Sequence, residues 1–260
     1  MTWIVGSPTF FGYAVGVSDI RVTFGDGRSL DCLQKIYPVG RFIAVGFAGA
    51  VEFGFWAIHD LRRQLRLRDP ARAWVPGWVI FRWYRRARRV FARAPADIRN
   101  MGAQLIFFGV SPTADMGIRG YARPTVAILR APEFFPHLVS MNAVESIGSG
   151  AGVEVYAKEI RGLNEHRELM QMEAGSPGGY GAALQHCIAN VCDEHRNKTV
   201  SPNVHVCMVR RGEIVVAPSG YRRLVRPGEW SDGMPPVAAT WDEFASMAAA
   251  VGADAYAATC

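Results

Sequence analysis

The sequence lacks a long apolar run, a basic leader and a regular set of cysteines. Its longest apolar stretch, Phe42 to Val51, is about half the length of a membrane-spanning helix, so we expect no membrane span. No charged residue precedes Asp19, and without the basic segment of a secretory signal we expect the protein to stay in the cytoplasm. The 5 cysteines are an odd number without the spacing of a disulfide framework, which indicates free thiols in a reducing compartment.

The common signatures of nucleotide, zinc and serine-hydrolase sites are also missing. The sequence contains no P-loop, no G-x-G-x-x-G, no G-x-S-x-G, no H-E-x-x-H and no C-x-x-C. His186, Cys187, Cys192 and His195 are the nearest candidates for a metal site, but on one helix their offsets do not converge on a single face. We therefore expect neither a metal nor a cofactor.

The composition is that of a globular protein with a full hydrophobic core. Of the 260 residues, 50% are hydrophobic and 20% are charged, and we find no internal repeat or low-complexity linker. A chain of this length buries roughly 70–75% of its extended surface on folding, so its core needs no disulfide or metal. We assign residues 1–220 to one domain and residues 221–260 to a C-terminal extension with a helical stretch at 241–249.

Positive charge is concentrated in residues 62–99. This segment has twelve arginines and two aspartates, a local charge of +10, although the whole chain carries only +6. Arginines interleaved with aromatic residues resemble a nucleic-acid footprint, but a solvated amphipathic face that binds a protein partner is the commoner use of such a pattern. We therefore favour an acidic protein partner over nucleic acid.

The pattern of apolar residues predicts strands and helices in alternating blocks. Apolar and small residues alternate over residues 2–20 around the turn signal at 6–8, which predicts a β-hairpin. Helical spacing begins at Ala50, and Pro76 suits the first turn of a second helix. The other predicted elements are strands at 30–37, 41–47, 104–110 and 124–130, helices at 149–163 and 179–195, and a hairpin at 203–210 and 213–218. This order predicts an α+β protein with helices packed outside stacked antiparallel sheets.

The most informative residue is Thr2. If Met1 is removed, which the small Thr2 side chain permits, Thr2 carries both a hydroxyl nucleophile and a free α-amine. The ordinary pKa of an α-amine is about 7.7–8.0, and a nearby cation lowers it further, so the amine can take the hydroxyl proton at neutral pH. Taken alone, a threonine at the second position fits an ordinary β-strand equally well.

Four further motifs stand at spacings that match one known family. They are Ser-Asp-Ile-Arg-Val-Thr at residues 18–23, Lys-Ile-Tyr at 35–37, Gly-Phe-Ala-Gly-Ala at 46–50 and Ile-Gly-Ser-Gly at 147–150. Together with Thr2, they make the chain resemble a proteasome β-type subunit or a bacterial proteasome-like peptidase of the N-terminal nucleophile hydrolases. The resemblance implies a four-layer αββα sandwich in which two antiparallel sheets pack face to face with helices outside.

The resemblance also implies roles for individual residues. Thr2 is the implied nucleophile, its α-amine the general base, and Lys35 the cation beside both. Asp19 is implied to hold Lys35, since a buried lysine needs a paired carboxylate to stay charged. Gly49 would offer its backbone N–H to the tetrahedral oxyanion, and Ser149 would orient the amine. Without the resemblance, Lys35 fits a strand-edge charge, Gly49 a tight turn and Ser149 a helix N-cap.

Substrate contacts follow from the same resemblance. Thr23 is implied to pair with the substrate backbone. The residues implied to line the pocket beside the scissile bond are Val22, Leu33, Tyr37, Phe47 and Val51. This crowded apolar lining favours small or apolar substrate side chains.

One position departs from the family pattern. Many members have an aspartate three residues before a serine, and both support the catalytic threonine. Here Ser201 is present, but Lys198 stands where the aspartate would be. We interpret this departure as altered tuning of the site rather than its loss.

These observations lead to three functional hypotheses. The first is a threonine peptidase of peptides or unfolded proteins, assembled as a homo-oligomeric ring or spiral, with an acidic activator or ATPase at the arginine-rich segment 62–99. The second is a catalytically silent scaffold or binding module of the same fold that docks an acidic partner. The third keeps the chemistry but acts as an amidase of small molecules.

Overall fold

The computed structural model describes most of the chain. The described residues are 2–66, 76–111, 123–175, 177–194, 200–219, 223–226, 229–231 and 233–260. Part of the arginine-rich segment, including Arg68 and Arg72, lies outside these ranges, as does Lys198. Within them, no helix has the length and apolarity that a membrane crossing requires.

Strands and helices alternate in blocks along the described residues. The strands are β1 Ile4–Pro8, β2 Ala14–Asp19, β3 Arg21–Thr23, β4 Ser29–Asp31, β5 Ile36–Gly40, β6 Ile43–Gly49, β7 Ala103–Val110, β8 Pro124–Arg130, β9 His137–Leu138, β10 Glu145–Ile147, β11 Val204–Arg210, β12 Glu213–Ser219, β13 Arg223–Arg226 and β14 Glu229–Ser231. The helices are α1 Val51–Arg66, α2 Pro76–Arg93, α3 Ala96–Met101, α4 Glu154–Glu165, α5 Arg167–Ala174, α6 Pro177–Glu194 and α7 Trp241–Ala250. Short 3-10 turns cover Ser149–Gly152 and Ala255–Ala257. The other longer predicted elements are confirmed to within a few residues, but the strand predicted at 30–37 is wrong, because β4 ends at Asp31 and β5 begins at Ile36. The short α3 and α5 were not predicted.

The named strands pair antiparallel in four sheets. One five-stranded sheet has the order β10-β1-β2-β11-β12, and the other has the order β5-β6-β7-β8-β9. The pairs β3–β4 and β13–β14 form separate two-stranded ribbons. In the first sheet, β1 and β2 place Ile4 opposite Ser18, which brings the chain start next to the end of β2.

The first hairpin forms, but its turn is not where the sequence predicts it. Gly6 lies inside β1 and pairs with Gly16 on β2, and the chain reverses later, over residues 9–13. A Cβ at Gly6 would lie 2.6 Å from the ring of Phe108, and one at Gly16 would lie 2.4 Å from it. These two glycines therefore make room for an aromatic ring of the second sheet rather than forming a turn.

Three buried clusters hold the molecule together. One lies between the five-stranded sheets and includes Ile4, Ile106 and Phe108. A second joins the β5–β9 sheet to α1, α2 and α7, and a third joins the β1-containing sheet to α4 and α6. The amphipathic helices predicted from the sequence thus bury their apolar faces against sheets.

The predicted four-layer αββα sandwich is wrong. The strands divide among four sheets, and the β3–β4 and β13–β14 ribbons belong to neither five-stranded sheet. At the break after β2, the Asp19 carboxylate accepts the backbone N–H of Arg21 at 3.0 Å, and Arg21 begins β3. An ion pair between Arg21 and Asp31 at 2.6 Å then ties β3 to β4.

The C-terminal residues also depart from that layered plan. Ala238 pairs with Leu33 in an isolated bridge, and its carbonyl accepts the backbone N–H of Gln34 at 3.0 Å. Phe244 on α7 and Cys260 belong to the same buried cluster as α1. Residues 238–260 of the predicted extension therefore pack against the core, while a boundary at residue 220 stays a prediction.

Candidate active site

The candidate site is organised around the side chain of Lys35, which is fully buried. Its Nζ donates hydrogen bonds to Thr2 Oγ1 at 2.7 Å, to Asp19 Oδ1 at 2.8 Å and to the carbonyl oxygen of Arg21 at 2.5 Å. The three protons of an ammonium group therefore each have an acceptor. This arrangement avoids the large cost of burying an unpaired charge.

Asp19 ends β2 and is also completely buried. Besides Lys35, its carboxylate accepts the backbone N–H of Trp3 at 2.9 Å, of Arg21 at 3.0 Å and of Ser201 at 3.4 Å. Hydrogen bonds to an ionised acceptor are stronger than neutral ones, so they hold this carboxylate in place. Asp19 therefore connects the start of the chain, the β3 ribbon and the segment before β11.

Thr2 makes hydrogen bonds through its backbone as well as through its hydroxyl. Its N–H donates to Ser149 Oγ at 3.1 Å, and its carbonyl accepts the N–H of Gly150 at 2.9 Å. Gly148 has a φ of +92°, and a Cβ there would lie 2.3 Å from the Thr2 carbonyl oxygen. The Ile-Gly-Ser-Gly motif thus builds the wall against which Thr2 rests, and only glycine fits its second position.

Ser201 lies near the group and is connected to it through carboxylates. Its hydroxyl donates to Asp31 Oδ2 at 2.6 Å and accepts the N–H of Asn203 at 3.1 Å, and its own N–H donates to Asp19. These contacts connect Ser201 to Thr2 through Asp19. Asp31, which binds both Arg21 and Ser201, was not predicted from the sequence.

Gly49 has a backbone conformation that residues with a side chain rarely adopt. It ends β6 just before α1, its φ is +95°, and a Cβ there would lie 2.4 Å from the carbonyl oxygen of Gly102. Its N–H donates to the carbonyl oxygen of Cys260. The predicted oxyanion donor is thus present and is engaged by a residue near the end of the chain.

The predicted pocket residues lie together in one buried cluster that also contains Ala258 and Cys260; these residues are Val22, Leu33, Tyr37, Phe47 and Val51. Of them, Tyr37 also lines a cleft of about 440 Å³ beside α1 and α7. Thr23 instead pairs with Thr259 in an antiparallel bridge. A cleft of about 490 Å³ adjoins this pairing, and it is lined by residues that include Gln104, Ser149, Thr259 and Cys260.

Besides Asp31, three further residues of this region were not predicted from the sequence. Gln104 accepts the N–H of Gly148 at its Oε1, at 3.1 Å, and so supports the wall behind Thr2. It is the single polar side chain in the apolar strand β7, and that irregularity is the signal that marks it. Thr259 and Cys260 have no such signal, because no local pattern relates them to Gly49.

Burial keeps the nearby thiols and one imidazole neutral. It raises the pKa of Cys260 to about 11 against the opposing charge of Lys35, and it raises the pKa of Cys32 to about 12. Burial and the Lys35 charge lower the pKa of His205 to about 4. A thiolate nucleophile is therefore disfavoured here, and the threonine hydroxyl is the better candidate.

The arrangement favours attack by the hydroxyl of Thr2. A cation at 2.7 Å from Oγ1 lowers the pKa of a hydroxyl by stabilising its anion, but a lysine with its protons committed to acceptors is not a free base. The nitrogen of Thr2 is a peptide nitrogen while Met1 is attached and becomes an amine if Met1 is removed.

Comparisons with known proteins assign no family. No protein-family model matches the chain, and no curated protein sequence matches it significantly. Within the described residues, no group of three or more histidine, cysteine, aspartate or glutamate side chains is placed to hold a metal ion. The side chains of Cys192 and His195, two of the weak metal candidates, lie outside the described part.

Proposed function

We propose that this protein is a threonine peptidase resembling proteasome β-type subunits, in which removal of Met1 exposes Thr2 as nucleophile and base. The observation that carries the proposal is the fully buried contact of Lys35 with both Thr2 Oγ1 and Asp19. Burying an ion pair costs desolvation free energy, so a contribution to stability does not explain this pair well. A role in the reactivity of the Thr2 hydroxyl, to which the ammonium group donates, explains it better.

The proposed reaction begins with a proton transfer within Thr2. The α-amine takes the proton of Oγ1 while Oγ1 attacks the carbonyl carbon of a peptide bond, and Lys35 stabilises the developing negative charge on Oγ1. The carbonyl oxygen becomes an oxyanion that the Gly49 N–H stabilises. Collapse of this intermediate breaks the C–N bond and returns the proton to the leaving amine, which leaves an ester on Thr2.

Water completes the cycle by the same steps. The α-amine takes a proton from water, the resulting hydroxide attacks the ester, and Oγ1 leaves with the proton. A role of Ser149 in orienting the amine is supported by its hydrogen bond, because its Oγ lies 3.1 Å from the nitrogen that becomes the amine. The proposed chemistry uses this chain's own residues throughout.

The direct test is intact-mass spectrometry of the purified protein before and after reaction with a peptide epoxyketone. In this reagent the threonine hydroxyl adds to the ketone and the α-amine opens the epoxide, so one adduct reports both groups. We expect loss of Met1 and one adduct per chain, which Thr2→Ser retains and Thr2→Ala abolishes. Retention of Met1 with no adduct would contradict the peptidase proposal.

A second candidate function has one observation in its favour. The Gly49 N–H is already engaged by the Cys260 carbonyl, so the oxyanion position is not free. This favours a catalytically silent scaffold or binding module. The same mass measurement separates the two, since a scaffold forms no adduct.

The remaining parts of the proposal concern assembly and location. We place the peptidase in the cytoplasm as a homo-oligomeric ring or spiral that binds an acidic activator or ATPase. Exposed arginines on α2 support the acidic partner, and they are Arg82, Arg85, Arg88, Arg89 and Arg93. Light scattering should give a mass that is a multiple of 28.6 kDa, and a monomer at all concentrations would contradict the assembly.

A further inference from the structure

We infer that residues 258–260 occupy the proposed active site as a tethered peptide ligand, in the position of the substrate segment that precedes the cleaved bond. The site would therefore take extended peptides with a small side chain before that bond, and the chain's own tail would hold it closed until displaced. This inference rests on the proposed function for its catalytic meaning, but the binding itself can be tested separately.

The first support is the backbone pairing of Thr259 with Thr23. The N–H of Thr259 donates to the Thr23 carbonyl at 2.8 Å, and the N–H of Thr23 donates to the Thr259 carbonyl at 2.9 Å. This is the reciprocal exchange of an antiparallel strand pair. The chain's resemblance to the family implies that Thr23 pairs with the substrate backbone.

The second support lies on the opposite side of the segment. Cys260 donates its N–H to the Gly49 carbonyl at 2.9 Å and accepts the Gly49 N–H, while the Val51 N–H donates to Ala258 at 3.2 Å. The segment is therefore a strand held on both edges, between β3 and the junction of β6 with α1. Main-chain hydrogen bonds of this kind bind extended peptides with little regard to sequence.

The third support is the position of Cys260 relative to Thr2. Its carbonyl accepts the Gly49 N–H, which the mechanism assigns to the oxyanion, and its thiol donates to the carbonyl oxygens of Phe47 at 3.7 Å and Gly49 at 3.6 Å. Its side chain is 4% exposed in a cluster with Val22, Leu33 and Phe47. A cavity filled by a cysteine side chain suits a small residue and excludes a large one.

A cleft of about 490 Å³ adjoins the bound segment. Its lining includes Thr259 and Cys260 together with Gln104, Gly148 and Ser149. This open space lies next to the segment and can hold the part of a longer peptide that follows the cleaved bond.

The tail is tethered close to the site by packed structure. Phe244 and Ala248 of α7 and Ala255 belong to the core cluster, so the chain is anchored a few residues before Ala258. A short tether gives an effective concentration in the mM range, so a free peptide must compete with a strong local excess of the tail. Weakening the tail's own pairing is therefore the way to open the site.

The test opens the site with full-length variants of residue 259 or 260. Thr259→Pro removes the N–H that donates to Thr23. Thr259→Val keeps this N–H and removes only the hydrogen bond from Thr259 Oγ1 to the Thr23 carbonyl at 3.3 Å, so it is the matched control for loss of the backbone pairing. Cys260→Arg is a second opening variant, because the buried cluster has no room for its side chain. Circular dichroism checks that each variant folds.

The first readout is binding of a fluorescent peptide of residues 254–260, measured by anisotropy. We expect at least tenfold tighter binding to Thr259→Pro and Cys260→Arg than to the wild type or Thr259→Val. A peptide with proline at the position of Thr259, or with tryptophan at that of Cys260, should bind at least tenfold more weakly. Equal and negligible binding of the peptide by the folded opening variants and the wild type would overturn the inference.

The second readout is the rate of epoxyketone adduct formation in the same variants. At least a tenfold faster rate in the opening variants supports a tail that blocks the nucleophile, and an unchanged rate overturns that role. Tail-peptide binding without any adduct supports the inference as a binding site while the peptidase proposal fails. The two failures are thus distinguishable.

Discussion

At the scale of single residues, Lys35 and Asp19 form an ion pair in which both side chains are fully buried. Both side chains have no exposed surface, and their charged atoms lie 2.8 Å apart. Removing one partner of such a pair leaves the other charge buried without its counterion, whereas replacing both with apolar groups is far less costly. The pair can therefore be separated experimentally into a structural and a chemical contribution.

We predict that Lys35→Met destabilises the protein by about 3–5 kcal/mol and abolishes adduct formation at Thr2. The double variant Asp19→Leu/Lys35→Met should recover part of the stability but none of the reactivity, since no cation remains beside Thr2. Urea unfolding measures the first effect and mass spectrometry the second. Full reactivity in the double variant would remove Lys35 from the mechanism.

His205 makes a second prediction at this scale. Its pKa falls from 6.5 in the unfolded chain to about 4 in the fold, so between these values the unfolded state binds more protons. The stability contributed by the neutral imidazole is therefore complete above pH 6.5, declines as the pH falls, and is lost by about pH 4. The expected loss is about 3 kcal/mol.

The measurement is urea unfolding at several pH values between 7.5 and 4. Acid also titrates carboxylates, so the effect of His205 is the difference between the wild type and His205→Gln. The glutamine variant should show a flatter dependence over this interval. Identical slopes for both proteins would mean that His205 is protonated in the fold as easily as in the unfolded chain.

At the scale of elements, the 3-10 turn Ser149–Gly152 with its preceding glycine is the wall of the site. We predict that Gly148→Ala costs at least about 2 kcal/mol and slows adduct formation, because its new methyl group would meet the Thr2 carbonyl at 2.3 Å with φ at +92°. Gly152→Ala is the matched control, since a Cβ there meets nothing within 4 Å. Equal effects of the two substitutions would contradict the assigned contact.

Helix α2 has one face that packs into the core and one that is exposed and rich in arginine. Ile80, Trp83 and Phe91 are buried against the β5–β9 sheet, and Arg86 binds Asp60 of α1 at 2.7 Å. Replacing Arg86 would therefore disturb the fold. Exposed arginines such as Arg85 and Arg89 are the ones to change in a test of binding.

We predict that Arg85→Glu/Arg89→Glu weakens binding of a polyglutamate peptide at least tenfold without changing the unfolding midpoint. Arg130→Glu, an exposed arginine on β8, is the control for a general change in net charge. Binding should fall with added salt in the wild type. Stronger binding of single-stranded nucleic acid than of polyglutamate would favour the alternative partner.

Element prediction from the sequence worked where the signal is local and periodic. The apolar spacing of α1 and the short apolar run of β8 depend on neighbouring residues, so both were predicted within a residue or two of their bounds. The glycine at position 6 was misassigned to a turn, because its partner is the ring of Phe108 about a hundred residues later. A sequence window contains no information about that contact.

At the scale of the whole molecule, the candidate site draws on residues from both ends of the chain. Thr2 and Asp19 come from β1 and β2 and their flanks, Ser149 from the middle, and Cys260 from a segment that follows α7. The Cys260 thiol and the Gly49 carbonyl are separated by 211 positions and lie 3.6 Å apart. The site therefore exists only after both sheets and the C-terminal segment have packed.

The residues of the candidate group and most of the helices and strands could be predicted from the sequence, since motif spacing and periodicity are local properties of the chain. The division of the strands among four sheets and the hydrogen bond between the Cys260 carbonyl and the Gly49 N–H became known only from the fold. Such contacts depend on packing and backbone pairing between distant segments, and many residues satisfy those requirements equally well. For that reason, nothing in Ala-Thr-Cys identifies it as a ligand until the fold brings it to Thr2.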